Sequence, residues 1–423
     1  MNPNDPAKSS YSSPLYGYSL KKVSEPNPGL QLPYFEDVFS RRPIYDIILS
    51  CLDIADLIRL GRTSKVARAA LAEHSIRAYN INRHLRCFFD DPLSFRSLQA
   101  RTGSLISGSN ALQFLDRSFY PGSDLDVYVH PGHTLEVGNW LMNEEGYTFV
   151  PKNLQELGST FEENVEEWDP FQRRYNEEED ASSYRGQVYR FSGVFHVYSF
   201  EKKEVRKVQI VEARESAFTT ILSFHSTCVM NLISFDTAYS LYPRATFKER
   251  RMQLMREITP EEVKAISKYG RRGFQIAATY LWPYAGSDPC LVLDTVRNVN
   301  DRFTWRVALD TTGVDPRSKL TPTSNVMKTD PVVQNTWEMC HLRGDNLTIT
   351  YFAVKSTLLR YNYVVAENDY LLQLVNWLRV QGFYEHEKVE GLSGEEKINA
   401  WTWCVYFTSV SVPLAPTIIT ECL

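Results

Sequence analysis

No stretch of the 423-residue sequence approaches the roughly 18 consecutive apolar residues of a membrane-spanning helix, so no membrane contact is expected. The opening residues, MNPNDPAKSSYSSP, lack the apolar segment of a secretory signal. Cysteine is sparse: positions 51, 87, 228, 290, 340, 404 and 422 form neither a disulfide framework nor metal-ligand pairs. Free thiols of this kind belong to a reducing compartment, and an intracellular location, cytoplasm or nucleus, is expected. Excess charge is missing too. With 46 basic residues against 51 acidic, the net charge of −5 leaves no global footprint for nucleic acid, while a local basic face stays open. Internal repeats are absent.

What remains is a 43% apolar, 23% charged chain, the profile of a globular protein long enough for two or three domains. Residues 1–31, rich in Pro, Ser, Asn and Gly, read as a disordered arm. Over 32–90, Ile44, Ile47, Ile48, Leu52, Leu57, Ile58 and Leu60 recur at helical spacing, with Asp53 and Asp56 as helix caps. Residues 93–245 form the core, with a strand at 125–129, a helix at 135–145 closed by Gly146, and a hairpin of 194–200 with 205–211. Between them, 155–185 is charge-rich and reads as a solvated insertion. The apolar stretch 217–241 reads as the longest helix. A helical extension follows at 246–289, beginning near Thr259-Pro260-Glu261-Glu262. Residues 290–423 are β-rich (LVLDTV, FTWRVAL, LTITYFAV, YNYVV, TWCVYFTSVSV), with one helix at 370–380.

The chemistry concentrates in LISGSNALQFLDRSFYPGSDLDVYV. The turn Ser107-Gly108-Ser109 lies between a strand end and a helix start, where backbone N–H groups can cradle phosphate. Asp124 and Asp126, two residues apart on one strand, point to the same face while Leu125 and Val127 point to the core. Two carboxylates side by side suit Mg²⁺ bound with substrate phosphates. The plainer alternative is a pair of turn-capping aspartates with Gly108 serving only the bend. Candidate phosphate contacts are Ser107, Gly108, Ser109, Arg244 and Lys248, followed by Lys268, Arg271 and Arg272. His225 and Cys228, one helical turn apart, read as a buried polar contact rather than a metal pair, and Thr227 and Asn231 on the same helix could meet a nucleotide.

The run Gly108-Ser109-Asn110-Ala111-Leu112, then Arg117, then Ser123-Asp124-Leu125-Asp126 resembles the defining motif of the nucleotidyltransferase superfamily, which holds polymerase-beta-like enzymes, tRNA CCA-adding enzymes and AbiEii-type toxins. The resemblance covers about 95–245. It implies an α+β fold with a nucleotidyltransferase core built on a mixed sheet. It also implies transfer of a nucleoside monophosphate to a hydroxyl of RNA or protein, with Asp124 and Asp126 as catalytic metal ligands. Many members carry a third carboxylate on a later strand. Gln209 stands there instead, and a neutral amide cannot act as a base at neutral pH. One class of CCA-adding enzymes works with two carboxylates; the alternative is a catalytically degraded core that binds a nucleotide or client.

Pro43-Ile44-Tyr45-Asp46-Ile47-Ile48-Leu49, with Asp56-Leu57-Ile58-Arg59-Leu60, is similar to an F-box, with Arg42 in place of the usual Leu. That resemblance implies docking of residues 32–90 to a Skp-type adaptor of a ubiquitin ligase. The combination resembles F-box/nucleotidyltransferase-fold proteins of mushroom-forming fungi.

Overall fold

The computed structural model describes residues 34–151, 159–166, 193–203, 206–255, 258, 260, 262–277, 288–315, 330–341, 347–356 and 358–393. The arm expected over 1–31 and the strand expected at 402–412 lie outside these residues. The chain opens with short helices: α1 (Tyr34–Ser40), α2 (Arg42–Ser50), α3 (Ile54–Gly61), α4 (Lys65–Ala78), α5 (Ile81–Leu85) and α6 (Pro92–Thr102). Small side chains punctuate them by accepting otherwise unpartnered backbone N–H groups. Asp53 accepts from Asp56 at 2.8 Å, Ser64 from Ala67 at 3.0 Å and Asn80 from Arg83 at 2.9 Å. Asp56, expected as a second cap, instead pairs with Arg59 at 2.7 Å. Asp91-Pro92 opens α6, with Asp91 accepting from Leu93 and Ser94.

The strands are β1 (Leu105–Ser107), β2 (Leu125–Val129), β3 (Thr148–Val150), β4 (Val194–Lys202), β5 (Arg206–Ala213), β6 (Asn231–Ile233), β7 (Thr237–Ser240), β8 (Arg251–Gln253), β9 (Gln275–Ala277), β10 (Val296–Asn298), β11 (Trp305–Ala308), β12 (Thr336–His341), β13 (Leu347–Thr350), β14 (Phe352–Val354) and β15 (Tyr363–Val365). The further helices are α7 (Gly108–Leu115), α8 (Thr134–Asn143), α9 (Phe161–Glu166), α10 (Ala217–Leu222), α11 (Glu262–Arg271) and α12 (Asn368–Val389). The result is a mixed α+β protein with a large mixed sheet, ordered β11-β7-β6-β1-β2-β5-β4-β3. Among the described residues, its only parallel neighbours are β2 and β5.

Period-2 alternation decides what each sheet face buries. Ile106, Leu125, Val127, Val208 and Ile210 enter one core, together with Ile54, Tyr79, Ile81 and Leu85 from the N-terminal helices. Leu105, Tyr128 and Val211 enter a second core on the other face. A third cluster of Phe39, Tyr45, Leu49, Leu57, Ala67 and Ala70 lies within the first four helices. No helix among the described residues is long and apolar enough to cross a membrane.

Several expectations need correction. The long helix over 217–241 does not form: α10 stops at Leu222, a 3-10 turn spans Thr227–Val229, and the rest is the β6–β7 hairpin. The stretch is rich in Ser, Thr, Ile and Val, and a buried apolar run does not by periodicity separate helix from strand. LVLDTV is mostly turn, with Val292 and Asp294 at left-handed φ of 54° and 52°, and the strand starts only at Val296. LTITYFAV divides into β13 and β14, which join different sheets, and the expected 370–380 helix runs the full length of α12. Within the charge-rich 155–185 stretch, the described part is not a solvated surface throughout. Phe161 of α9 is buried against Phe149, Tyr198 and Phe200.

That burial sets the first test. Gly138 on α8 faces the Phe161 ring so closely that an added Cβ would lie 2.1 Å from Cε1. Gly→Ala inside a helix ordinarily gains about 1 kcal/mol. Here overpacking reverses the sign, and Gly138→Ala is expected to lose about 1–3 kcal/mol, read as a lower denaturation midpoint.

On the opposite sheet edge, Asp330 accepts from the Tyr239 hydroxyl at 2.9 Å and from the Val332 amide at 3.0 Å. It shares a cavity of about 350 Å³ with Asp236, Asn300 and Arg306. Burial, and secondarily the Asp236 carboxylate, hold the Asp330 carboxyl well above its ordinary range. A carboxyl raised in the folded state keeps a proton that the unfolded chain releases. Its contribution is therefore full at low pH and is lost as pH rises toward neutrality through the folded-state value. Asp330→Asn keeps the shape without the charge. It is expected to flatten the fall of thermal midpoint across this window and to raise the midpoint at alkaline pH by about 2–4 °C. An unchanged pH slope would refute the assignment.

Candidate functional site

The site grows from the place where β1 becomes α7. Ser107 ends β1 fully buried, and its hydroxyl donates to the Asn231 carbonyl of β6 at 2.5 Å. Gly108 follows at φ +65°, a left-handed conformation that a side chain makes costly. The turn also lies hard against β2: a Cβ on Gly108 would sit 3.0 Å from Asp126 Oδ2 and 3.9 Å from the Tyr128 hydroxyl. The sheet register explains this, because Ser107 pairs directly with Asp126. The Ser109 and Ser123 hydroxyls meet at 2.8 Å and fasten the helix start to the residue before Asp124. The hydroxyls of Ser107 and Ser109 are thus engaged within the protein. What the turn offers a ligand is its backbone.

Asp124 and Asp126 are half-buried. In the parallel neighbour β5, Gln209 pairs with Asp126 and so stands on the same face. Glu212 pairs with Val129, is buried, and falls on the opposite face, as strand alternation requires. Lys207 joins the carboxylate face. Its ammonium bonds Glu201 at 2.8 Å, which raises its pKa, and Asp124 adds to the rise.

A second wall comes from α11. Burial and the neighbouring Arg272 push the Lys268 ammonium below the ordinary lysine range, while Asp126 and Asp124 pull it back up. Tyr269 and Tyr128 are raised, foremost by burial, with Asp126 adding to each. The Arg272 guanidinium stacks 3.6 Å from the Tyr120 ring centroid and 5.2 Å from that of Tyr269. Arg250 braces the wall from behind, with both oxygens of Asp116 at 2.8 and 2.9 Å and the Arg272 carbonyl at 3.3 Å.

Of the cations named from sequence, the fold brings Lys268 within electrostatic reach of the carboxylates and sets Arg272 beside it. Arg244 and Lys248 lie on a π-helical turn, Arg244–Lys248, that packs against α3 and β8. His225 and Cys228 do not share a helix. Cys228 is buried, its thiol pushed up to about 12 by burial. Thr227 accepts from the Gln253 amide, and Asn231 donates to the Cys228 carbonyl, so both serve the fold. The Tyr120–Arg272 stack has no local signature in the sequence, because its partners are some 150 residues apart.

Among the described residues no group of three or more His, Cys, Asp or Glu is placed to hold a metal ion. The donor chemistry of the pair nevertheless fits Mg²⁺. Two carboxylates and a neighbouring amide oxygen are hard donors, and Mg²⁺ characteristically completes its shell with water and phosphate oxygens.

The fold and this corner together define a mixed α+β protein whose central sheet presents a glycine turn to a carboxylate-bearing strand. Among solved structures, the chain is similar to the Thermotoga maritima CCA-adding enzyme complexed with tRNA, at 14% identity and TM-score 0.30, over 47% of this chain and 43% of that one. It is also similar to a CCA-adding enzyme in complex with ATP, at 13% identity and TM-score 0.29, over 47% and 42%. A CCA-adding enzyme complex with CTP gives 12% and 0.28, over 54% and 44%. CCA-adding enzymes belong to the nucleotidyltransferase superfamily. The chain spans less than half the length of each of these chains. No protein-family model matches the chain, and no curated protein matches it.

Proposed function

We propose that the protein is a nucleotidyltransferase that moves a nucleoside monophosphate from a nucleoside triphosphate to a hydroxyl of RNA or protein. The observation that carries this reading is the left-handed Gly108 turn seated 3.0 Å, by its missing Cβ, from Asp126 Oδ2. Asp124 and Asp126 would hold Mg²⁺ or Mn²⁺. Such an ion, when bound, neutralises charge on the phosphoryl oxygens. The backbone from Gly108 to Ser109 faces the β- and γ-phosphates, and Lys268 and Arg272, more than Arg244 and Lys248, supply positive charge. The acceptor oxygen attacks the α-phosphorus, the bond to the bridging oxygen breaks, and pyrophosphate leaves with the electron pair. Gln209 has no capacity to take the acceptor's proton, which passes to solvent.

A second reading is supported by Gln209 beside Asp126 together with the exposed Ile44, Ile47 and Ile48 on α2, Ile47 at 68% exposure. In it, the 32–90 module is an F-box-like unit that docks a Skp-type adaptor, and the 93–245 core binds a client or nucleotide without turnover.

The deciding experiment incubates the full chain with each labelled nucleoside triphosphate, Mg²⁺ or Mn²⁺, and total RNA or lysate. Label on RNA or protein is expected. No transfer under any condition overturns the enzyme reading. Capture of a Skp-type adaptor by wild type but not by Ile47→Asp would then favour the second.

A further inference from the structure

We propose that one side of α11, together with the loop between α7 and β2, is a track for single-stranded nucleic acid leading to the carboxylate pair. Calling that strand the acceptor rests on the transferase reading; its binding does not.

The first observation is a row of cations. Lys264, Lys268 and Arg271 follow one another at steps of four and three, which places them on one side of α11, and Arg272 follows in the turn that ends it. At 1.5 Å per residue the helical row extends about 10 Å. Ile266 and Tyr269 point the other way and are buried. The segment KAISKYGRR contains no carboxylate, in a chain whose net charge is −5. None of the four cations makes an ion pair among the described residues, although ion pairs engage many of the chain's other basic side chains. Lys264 and Arg271 are exposed, whereas Lys268 and Arg272 are half-buried and Lys268 lies within the field of Asp126 and Asp124.

The second observation is a donor without an acceptor. Arg272 Nη1 is buried and has no hydrogen-bond partner, while the same guanidinium sits over the Tyr120 ring, 3.6 Å from its centroid. A held, desolvated guanidinium with an unused N–H is suited to a phosphate oxygen.

The third is Phe119. Its side chain is 75% exposed, yet the backbone around it is fastened. The Ser118 amide donates to the Gln113 carbonyl at 3.0 Å, and the Tyr120 amide donates to Gln113 Oε1 at 3.0 Å. Arg117 is tied to the Leu49 and Leu52 carbonyls. Exposure of this ring is therefore a presented surface rather than a frayed loop, five residues before Asp124.

Aromatic rings interleaved with cations are how proteins hold single strands, the ring stacking on a base and the cations following the backbone. A duplex keeps its bases stacked inside and gives Phe119 nothing to stack on. An acidic peptide would use the cations but not the ring.

The test measures binding of a fluorescent single-stranded RNA homopolymer to the full chain by anisotropy, without nucleotide or metal, over a range of salt. Wild type is expected to bind with affinity falling as salt rises, at a log–log slope near −0.7 for each phosphate neutralised. Lys264→Glu/Arg271→Glu, at two exposed positions away from the carboxylates, is expected to weaken binding at least about tenfold and to flatten the slope by about 1.4. Phe119→Ala is expected to weaken it about fivefold or more at unchanged slope and to leave duplex binding unaltered. Thermal midpoints of the variants serve as the folding control. Salt-independent binding, or binding indifferent to both variants, overturns the track, as does equal competition by polyglutamate with no effect of Phe119→Ala. Variant-sensitive binding with no label transfer would retain the track and remove the transferase reading. Transfer to some acceptor without strand binding would do the reverse.

Discussion

Replacing Asp124 and Asp126 together by asparagine is expected to cut transfer of labelled nucleoside monophosphate at least about a thousandfold, or about 4 kcal/mol of transition-state stabilisation. The amide keeps the volume and the strand while removing both negative charges, so the loss reports on charge rather than on folding. The same change should abolish any rise in thermal midpoint that Mg²⁺ produces in the wild type, because a ligand stabilises only the state that binds it. The two readouts separate three situations. Equal transfer by the variant would show that the chemistry lies elsewhere. Loss of both signals supports the assignment. A Mg²⁺-dependent midpoint in a wild type that transfers nothing would describe a metal site without turnover.

Gly108→Ala is expected to be nearly as damaging to transfer, for a geometric reason. Its φ of +65° penalises any side chain by about 1–2 kcal/mol. Its new Cβ would also stand 3.0 Å from Asp126 Oδ2, closer than ordinary contact. Either the carboxylate must swing away from the turn or the turn must move. Displacement of either by about 1 Å at a reacting centre can cost about a hundredfold in rate. Stability should fall by about 2 kcal/mol, measured by denaturant midpoint. An activity loss no larger than the stability loss predicts at saturating substrate would show that the turn does not set the carboxylate's position.

Much of this corner was legible in the sequence because it is local. The strand at 125–129 is bounded as read, with β-formers alternating around Asp126 while Asp124 stands just ahead of the strand rather than within it, and Gly146 adopts the positive φ expected of a helix stop. The hairpin of β4 and β5 likewise follows from two β-rich runs and a polar link. Gln209 falls beside Asp126, so the missing third carboxylate could be read before the register was known. The opposite wall was legible only as a list of cations. Choosing Lys268 and Arg272 over Arg244 and Lys248 depends on where α11 returns to the sheet, which tertiary packing decides. The 217–241 stretch failed for a different reason. Continuous burial on both faces erases the period that separates a helix from a pair of strands.

Arg117 has a consequence for how the molecule can be divided. Its guanidinium ends on the carbonyls of Leu49 and Leu52, at the close of α2, while its backbone stands at φ 49° at the head of the loop that leads to Asp124. Ile54, Tyr79, Ile81 and Leu85 meanwhile fill the same core as the carboxylate strand. A cut at residue 91 would therefore strip that core of six buried apolar side chains, Phe88 and Phe89 among them, and leave a guanidinium without its acceptors. The helices at the front of the chain act as one jaw of the vice that holds the site loop.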